Sequence, residues 1–201
     1  MFSLKRTGSP AVAFPPPFCY HFRVKQDEEM RGERQPSDIR YRAAAAGDAD
    51  EIMELVHAAI SAMEAQGIFQ WDRIYPARED FLRDAAAGTL LLAVSGGQIA
   101  AVCAVNGECD EEYRNGIWRA GEPFAVVHRL CVRQEFQGRG IARAFLRRIE
   151  ELLRERRFRA VRLDVFSKNP AALRLYEAAG YTRTGHADWR KGRFYLMEKK
   201  L

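Results

Sequence analysis

Residues 127–142 read Val-His-Arg-Leu-Cys-Val-Arg-Gln-Glu-Phe-Gln-Gly-Arg-Gly-Ile-Ala. An apolar strand runs into a turn with glycines at 138 and 140, and the turn opens directly into a basic helix. That order aims backbone N–H groups, a helix N-terminus and arginines at one point, an arrangement suited to holding phosphate. Gly138 and Gly140 permit close backbone approach, and the N–H groups of 138–142 can cradle an anion. A glycine turn is also a plain strand-to-helix connector, so the chemistry needs a second feature. Residues 162–181 supply it, reading Arg-Leu-Asp-Val-Phe-Ser-Lys-Asn-Pro-Ala-Ala-Leu-Arg-Leu-Tyr-Glu-Ala-Ala-Gly-Tyr. Asn169 sits at the mouth of a helix beside Pro170, Tyr176 follows seven residues on, and Gly180 supplies a left-handed stop.

The elements that must position these groups are legible as alternating helices and strands. Ile39–Arg42 is a short strand candidate. Asp48 and Glu51 have the spacing of a capping box, and Ile52, Leu55, Val56, Ala59 and Met63 recur at helical period up to Gly67. An aromatic segment, 68–75, precedes Pro76, which is expected to open a second short helix closed by Gly88. Leu90–Val94 and Ile99–Val105 flank Ser95-Gly96-Gly97 as a β-hairpin. A polar loop over 106–123 carries Glu108, Asp110, Glu111 and Glu112 with Tyr113 and Trp118. Then come strand 124–132, helix 140–156, strand 160–166, helix 170–179 and a hairpin turning near Arg190-Lys191-Gly192. In regular alternation His128, Leu130 and Val132 share one face of their strand, and Arg129 and Cys131 the other.

Bulk properties bound the function. With 201 residues, 47% hydrophobic and 29% charged, the chain has room for one real core. No apolar run approaches the ~20 residues that span a bilayer. Cys19, Cys103, Cys109 and Cys131 form no CxxC pair and have no partnered histidine spacing, so neither zinc nor disulfides are expected, and a cytoplasmic location is. The net charge is +5, and residues 133–162 alone hold ten arginines against four glutamates. A polyphosphate ligand explains that concentration. So does a solvated helix face with Glu150/Arg154 and Glu155/Arg159 pairs. Residues 1–37, with Pro15-Pro16-Pro17 and no periodicity, read as a disordered leader or as a misassigned start ahead of Met30, leaving one domain over 38–201.

Together, Gln137-Gly138-Arg139-Gly140-Ile141-Ala142 and the Asn169…Tyr176 segment resemble the GNAT superfamily of acetyl-CoA-dependent N-acetyltransferases. The hexapeptide matches the superfamily's Q/R-x-x-G-x-G/A signature, and the likeness is strongest from 124 to 181. Gln70-Trp71-Asp72, His128-Arg129-Leu130, Arg162-Leu163-Asp164 and Phe194–Lys199 resemble a bacterial subgroup of mostly unassigned substrate. The resemblance implies an α/β (α+β) fold: a central mixed, mostly antiparallel twisted sheet of six to seven strands flanked by about four helices. It implies direct attack of a primary amine on the thioester of acetyl-CoA, with no metal. Leu130, Cys131 and Val132 would pair with the pantetheine arm, and a strand-edge N–H near Leu130 or Cys131 would stabilise the oxyanion. Gln137, Gly138, Arg139, Gly140, Ile141 and Ala142 would hold the pyrophosphate, Asn169 would bond the pantetheine, and Tyr176 would protonate the departing thiolate.

The base that strips the attacking ammonium has two candidates. Asp164 lies five residues before Asn169, where some protein N-terminal acetyltransferases carry a glutamate; being shorter, it would work through a water. It could equally balance Arg129 or Arg162. His128 titrates near neutrality and could also be a hydrogen-bonded strand histidine. A Cys131 nucleophile paired with His128 would require a strand bulge. On the acceptor side Trp71, Tyr75 and Trp118, with Phe69 and the acidic cluster, suit a small cationic amine or a peptide N-terminus, though the aromatics could be core. Two rivals follow: a non-catalytic acetyl-CoA sensor on the same fold, and a nucleic-acid module using the arginines of 139–159. Neither membrane nor nucleic-acid partners are expected, and the oligomeric state is expected to be monomer or homodimer.

Overall fold

The structure, a computed structural model, describes residues 39–201; the expectations for 1–37 lie outside the described residues. Seven strands form one sheet in the order β1-β2-β3-β4-β5-β7-β6. They are β1 Ile39–Ala43, β2 Leu90–Ser95, β3 Gln98–Asn106, β4 Phe124–Val132, β5 Ala160–Phe166, β6 Thr182–Trp189 and β7 Gly192–Lys200. Neighbours run antiparallel except β4 and β5, which are parallel and joined through α3 (Ile141–Glu155). The other helices are α1 Ala49–Glu64, α2 Arg78–Ala86 and α4 Pro170–Ala178.

Periodicity explains which helix covers which face. Ile52, Leu55, Val56 and Ile60 of α1, with Phe81 of α2, bury against Leu90, Leu92, Val102 and Ala104. On the other face Ile141, Phe145, Ile149 and Leu153 of α3, together with Tyr176, cover Leu91, Ala93, Cys103 and Val105. Burying such side chains is worth about 1.5–3 kcal/mol each, which is what holds the helices to the sheet.

Local details depart from the sequence expectations. Asp48 makes no side-chain cap to α1. Its carboxylate instead takes both Arg42 Nη atoms at 2.7 Å and Ala45 N at 2.7 Å. Glu51 reaches across to Ile99 N at 2.7 Å and Arg133 Nη2 at 3.1 Å, so no capping box forms. Helix α2 begins at Arg78, two residues beyond Pro76, with Asp80 Oδ2 accepting from Ala77 N at 3.0 Å. Glu150 keeps its i,i+4 pair with Arg154, at 3.7 Å, but does not lie on a solvated face: it is buried and also meets Lys199 Nζ at 2.6 Å.

The largest departure is in β4. Between the pairs Val102–Cys131 and Ala104–His128, two steps along β3 face three along β4. Arg129 at this bulge adopts φ +53°, a left-handed conformation uncommon outside glycine. The faces switch there. Ala125 and Val127 pack on the α3 side with Leu130 and Val132, whereas Cys131 joins the α1 side. The regular alternation expected from sequence therefore fails at one residue.

Candidate active site

Strands β4 and β5 pair over only three positions, Phe124–Ala160, Ala125–Val161 and Val126–Arg162, although β4 runs on to Val132 and β5 to Phe166. Beyond Val126 the two strands splay, and β4 keeps an edge of backbone groups that β5 does not use. A cavity of about 1790 Å³ opens into this wedge. The residues expected to act on cofactor, acceptor or protons line it, from Trp71, Tyr75 and Trp118 through His128 and Leu130–Val132 to Gln137–Ala142, Asp164, Asn169 and Tyr176, whereas Phe69, expected beside Trp71, is exposed and does not.

The turn after β4 is built for close approach. Gly138 and Gly140 have φ +73° and +79°, and a Cβ at either would meet no protein atom within 4 Å. Gly140 stands directly ahead of α3, and the first residues of that helix, Ile141, Ala142 and Arg143, line the cavity where the dipole is positive. Gln137 Nε2 donates to Val132 O at 3.0 Å, tying the turn back onto the strand. Arg139, Arg143 and Arg147 line the same end of the cavity. Asn169 Oδ1 accepts from Ala172 N at 3.0 Å, capping α4, and its Nδ2 donates to Gln70 Oε1 at 3.0 Å.

Three groups offer proton chemistry. Burial pushes the Tyr176 phenol well above its ordinary value, so it keeps its proton at neutral pH and can donate it. Asp164 is pushed up to about 6, chiefly by burial; the Tyr113 hydroxyl donates to its Oδ2 at 2.8 Å and opposes the rise, while Asp110 adds to it. A carboxylate with that affinity accepts a proton from an ammonium far better than an exposed one. Neither arginine considered as its counter-ion is its direct partner, because Arg129 pairs with Asp84 and Arg162 with Glu198.

His128 Nε2 faces two acceptors, Asn106 Oδ1 at 3.0 Å and Glu108 O at 3.1 Å. Asn106 Oδ1 also accepts from Glu108 N at 3.0 Å, which fixes the amide oxygen on that side. The histidine therefore carries its proton on Nε2 and pins the start of the 106–123 loop. The β4 bulge does supply the break in alternation that a Cys131–His128 pair would need. Burial, however, pushes the Cys131 thiol up to about 12, which removes the thiolate a nucleophile requires.

The opposite wall consists of two loops held by distant side chains. Trp71 is half-buried against the α1 cluster. Tyr75 is exposed and accepts from Arg129 Nη1 at 3.2 Å. Asp72 accepts from Ile74 N and Tyr75 N and pairs with Arg190 at 2.9 Å and Lys191 at 2.6 Å, which hold its carboxyl well below the usual range. Trp118 donates its indole N–H to Tyr113 O at 2.8 Å and stacks on that ring. The buried Arg162 guanidinium lies 4.3 Å from the Trp118 ring centre and 3.7 Å from that of Phe124. Its partner Glu198 accepts from Arg119 N and Ala120 N. Sequence reasoning missed Tyr113, the Arg129–Asp84 pair and the Gln70–Asn169 contact. The only trace was the aromatic and polar character of these loops.

Comparison with known proteins agrees with this architecture. Residues 53–181 match the acetyltransferase (GNAT) family, and the chain belongs to that family. A 73-residue stretch is 45% identical to the N-alpha-acetyltransferase RimI of Mycobacterium tuberculosis, covering 35% of this chain and 44% of that relative. The match thus spans less than half the length of that protein. A GNAT-family acetyltransferase from Streptococcus agalactiae superposes with a TM-score of 0.72 at 25% identity, over 81% of this chain and 95% of that one. The PaiA N-acetyltransferase of Thermoplasma acidophilum, solved in complex with coenzyme A, superposes with a TM-score of 0.63 at 17% identity, over 81% and 99% of the two chains.

Proposed function

We propose that the protein is an N-acetyltransferase that moves an acetyl group from acetyl-CoA to a primary amine by direct attack on the thioester. The observation that carries the reading is the splay of β4 from β5, which leaves a strand edge running into a left-handed glycine turn and a helix N-terminus. Three features support acetyl-CoA as the donor. The free edge at Leu130–Val132 suits an amide-bearing arm that adds as another strand. The open space over Gly138 and Gly140, with the amides of 138–142 and Arg139, suits a pyrophosphate. Asn169, already at the mouth of α4, would exchange Gln70 for the arm.

Acetyl-CoA supplies an activated acyl carbon and a thiolate leaving group. Asp164 takes the proton of the arriving ammonium through a water, freeing the nitrogen lone pair. The nitrogen–carbon bond forms while a β4 N–H near Leu130 or Cys131 holds the carbonyl oxygen. The carbon–sulfur bond then breaks: the Tyr176 hydroxyl gives its proton to the sulfur and is restored by the second proton that the acylated nitrogen must lose, so the one net proton released is the one taken by Asp164. His128 is assigned to holding the loop, through its Nε2 contacts to Asn106 and Glu108, and the base role goes to Asp164, whose buried carboxyl is pushed up to about 6.

The acceptor is a small amine or a peptide N-terminus, received between Trp71, Tyr75 and Trp118 with Glu108, Asp110, Glu111 and Glu112 at the rim. Such a rim attracts a cation by charge and aromatic contact. The cytoplasm suits a chain that depends on acetyl-CoA and whose described cysteines are free. No described helix is long and apolar enough to cross a membrane.

The test is a calorimetric titration with acetyl-CoA, using coenzyme A and ATP as comparators. Saturable binding with acetyl-CoA clearly above ATP is expected; binding no better than ATP would remove the reading. A panel of amines and peptides, with Tyr176→Phe as control, then separates an enzyme from a sensor. Turnover indifferent to that substitution would favour the sensor.

A further inference from the structure

The loop between β3 and β4 does more than wall the cavity, because it brings a phenol to the carboxylate on β5. Tyr113 sits in the short turn Glu111–Asn115 and is 4% exposed. Its ring packs with Val126, Leu196 and Ala187 and stacks on Trp118 at 5.7 Å. The turn is seated on β6. Ile117 N donates to Thr184 O at 2.8 Å, and Gly185 lies so close that a Cβ there would stand 2.5 Å from Asn115 O. The phenol is thus held from three sides, and its hydroxyl donates to Asp164 Oδ2 at 2.8 Å across 51 residues of chain.

We propose that Tyr113 is a positioning residue for proton removal: its hydroxyl occupies Asp164 Oδ2 and leaves Oδ1 as the oxygen to which the acceptor's proton is passed. The proposal rests on Asp164 being the base. The proton moves from the ammonium nitrogen to Oδ1, through a water, and Tyr113 keeps its own proton throughout. Burial holds that phenol well above its ordinary value, so it stays a donor at any pH where the enzyme works.

A hydrogen bond to the ionised form favours that form, so Tyr113 also sets where Asp164 titrates. The groups facing Asp164 are Tyr113 and Asp110 from the loop, Arg129 from β4, Tyr75 from the segment before α2 and Tyr176 from α4. Across the strand pair on β7 it meets the apolar Leu196. Of these side chains, Tyr113 donates a hydrogen bond to the carboxylate, at 2.8 Å; the main-chain N–H of Asp164 itself acts in the same direction, and Asp110 pushes in the opposite one. The same loop that meets the acceptor therefore tunes the base.

The test is a carbon-13 NMR titration of the full chain labelled at aspartate carboxyls, using the resonance absent from Asp164→Asn as the reporter. In Tyr113→Phe, which keeps the ring stack and the main chain, the midpoint is expected to rise by about one pH unit. In Asp110→Asn, an exposed position, it is expected to fall. A Tyr113→Phe midpoint that is unchanged or lower overturns the proposal. Should that variant not fold, the wild-type chain still decides: a downfield phenolic proton lost in Asp164→Asn supports it, and absence of such a proton overturns it. Failure of the parent reading looks different. If Asp164→Asn transferred acetyl at the wild-type rate, the base would lie elsewhere whatever Tyr113 does to the carboxyl midpoint.

Discussion

The two walls of the cavity are built on opposite plans. The wall from Val127 to Ala142 is continuous in sequence: a strand edge, a turn with two left-handed glycines and the first turn of α3. Its working groups are main-chain amides placed by local conformation. The facing wall is assembled from side-chain ties that cross 51 residues at Tyr113–Asp164, 99 at Asn169–Gln70 and 118 at Arg190–Asp72. Main chain can hold a diphosphate and an amide-bearing arm with little demand on side-chain identity beyond glycine. Choosing and deprotonating an amine needs specific side chains, and the loops that bring them are fixed only by tertiary contacts.

The comparison breaks most decisively at Asp164, the point where the two walls meet. Asp164→Asn is expected to lower kcat/KM by about 100-fold or more, the scale of a lost general base. Acetyl-CoA affinity, measured calorimetrically, is expected to stay at the wild-type value. Since the carboxyl is pushed up to about 6, wild-type kcat/KM should fall as pH drops through that value. Stability moves the other way. A carboxyl with a raised folded value holds its proton more tightly folded than unfolded, so its ionisation costs folding free energy. That cost is absent below the unfolded value of about 3.9 and complete above the folded one. At pH 7.5 the inactive Asp164→Asn chain is therefore expected to melt no lower than wild type, with its amide oxygen still able to accept from Tyr113. A clear drop in melting temperature would mean that the charge itself supports the fold.

The same division governs what could be read from sequence. The β4–turn–α3 wall was legible because each part has a local signature: alternating apolar residues, two glycines needing positive φ, and a stripe from Ile141 to Leu153. The sheet was legible for the same reason. What escaped had no local signature. The bulge at Arg129 interrupts an alternation that looks unbroken, and the guanidinium there reaches back to Asp84 and Tyr75, 45 and 54 residues away. Asp48 and Glu51 have capping-box spacing but find stronger distant partners in Arg42 and Arg133. Tyr113 looked like one more aromatic in a polar loop until the fold placed β5 beneath it.

The main-chain wall offers the next test. Gly140 is left-handed at φ +79°, a conformation that costs a residue with a Cβ about 1–2 kcal/mol. In Gly140→Val that strain falls on the turn itself and the new side chain projects into the open mouth. Acetyl-CoA affinity is expected to weaken about tenfold or more, on the scale of that strain. Amine selectivity across the panel is expected to hold. A selectivity change without a loss of acetyl-CoA affinity would mean that the turn faces the acceptor, which would invert the assignment of the walls.

The smallest effect is expected where the acceptor wall is tied down at its back. Arg162 is clamped between Trp118 and Phe124, pairs with Glu198 and donates to Ala120 O at 3.1 Å. It supports the loop through Trp118 and Ala120, and the proposed reaction gives it no proton to move. Arg162→Lys keeps the charge opposite Glu198 but loses the planar stack and the fork that reaches two partners at once. A cation–π contact of this kind contributes about 0.5–2 kcal/mol, so the loop should loosen rather than detach. The amine KM is expected to rise about threefold, a shift of under 1 kcal/mol, with kcat and acetyl-CoA affinity little changed. A matching loss of acetyl-CoA affinity would show the walls to be mechanically coupled through β5. An effect confined to the amine would show that the acceptor side can be retuned from its own supports while the cofactor side stands on its backbone.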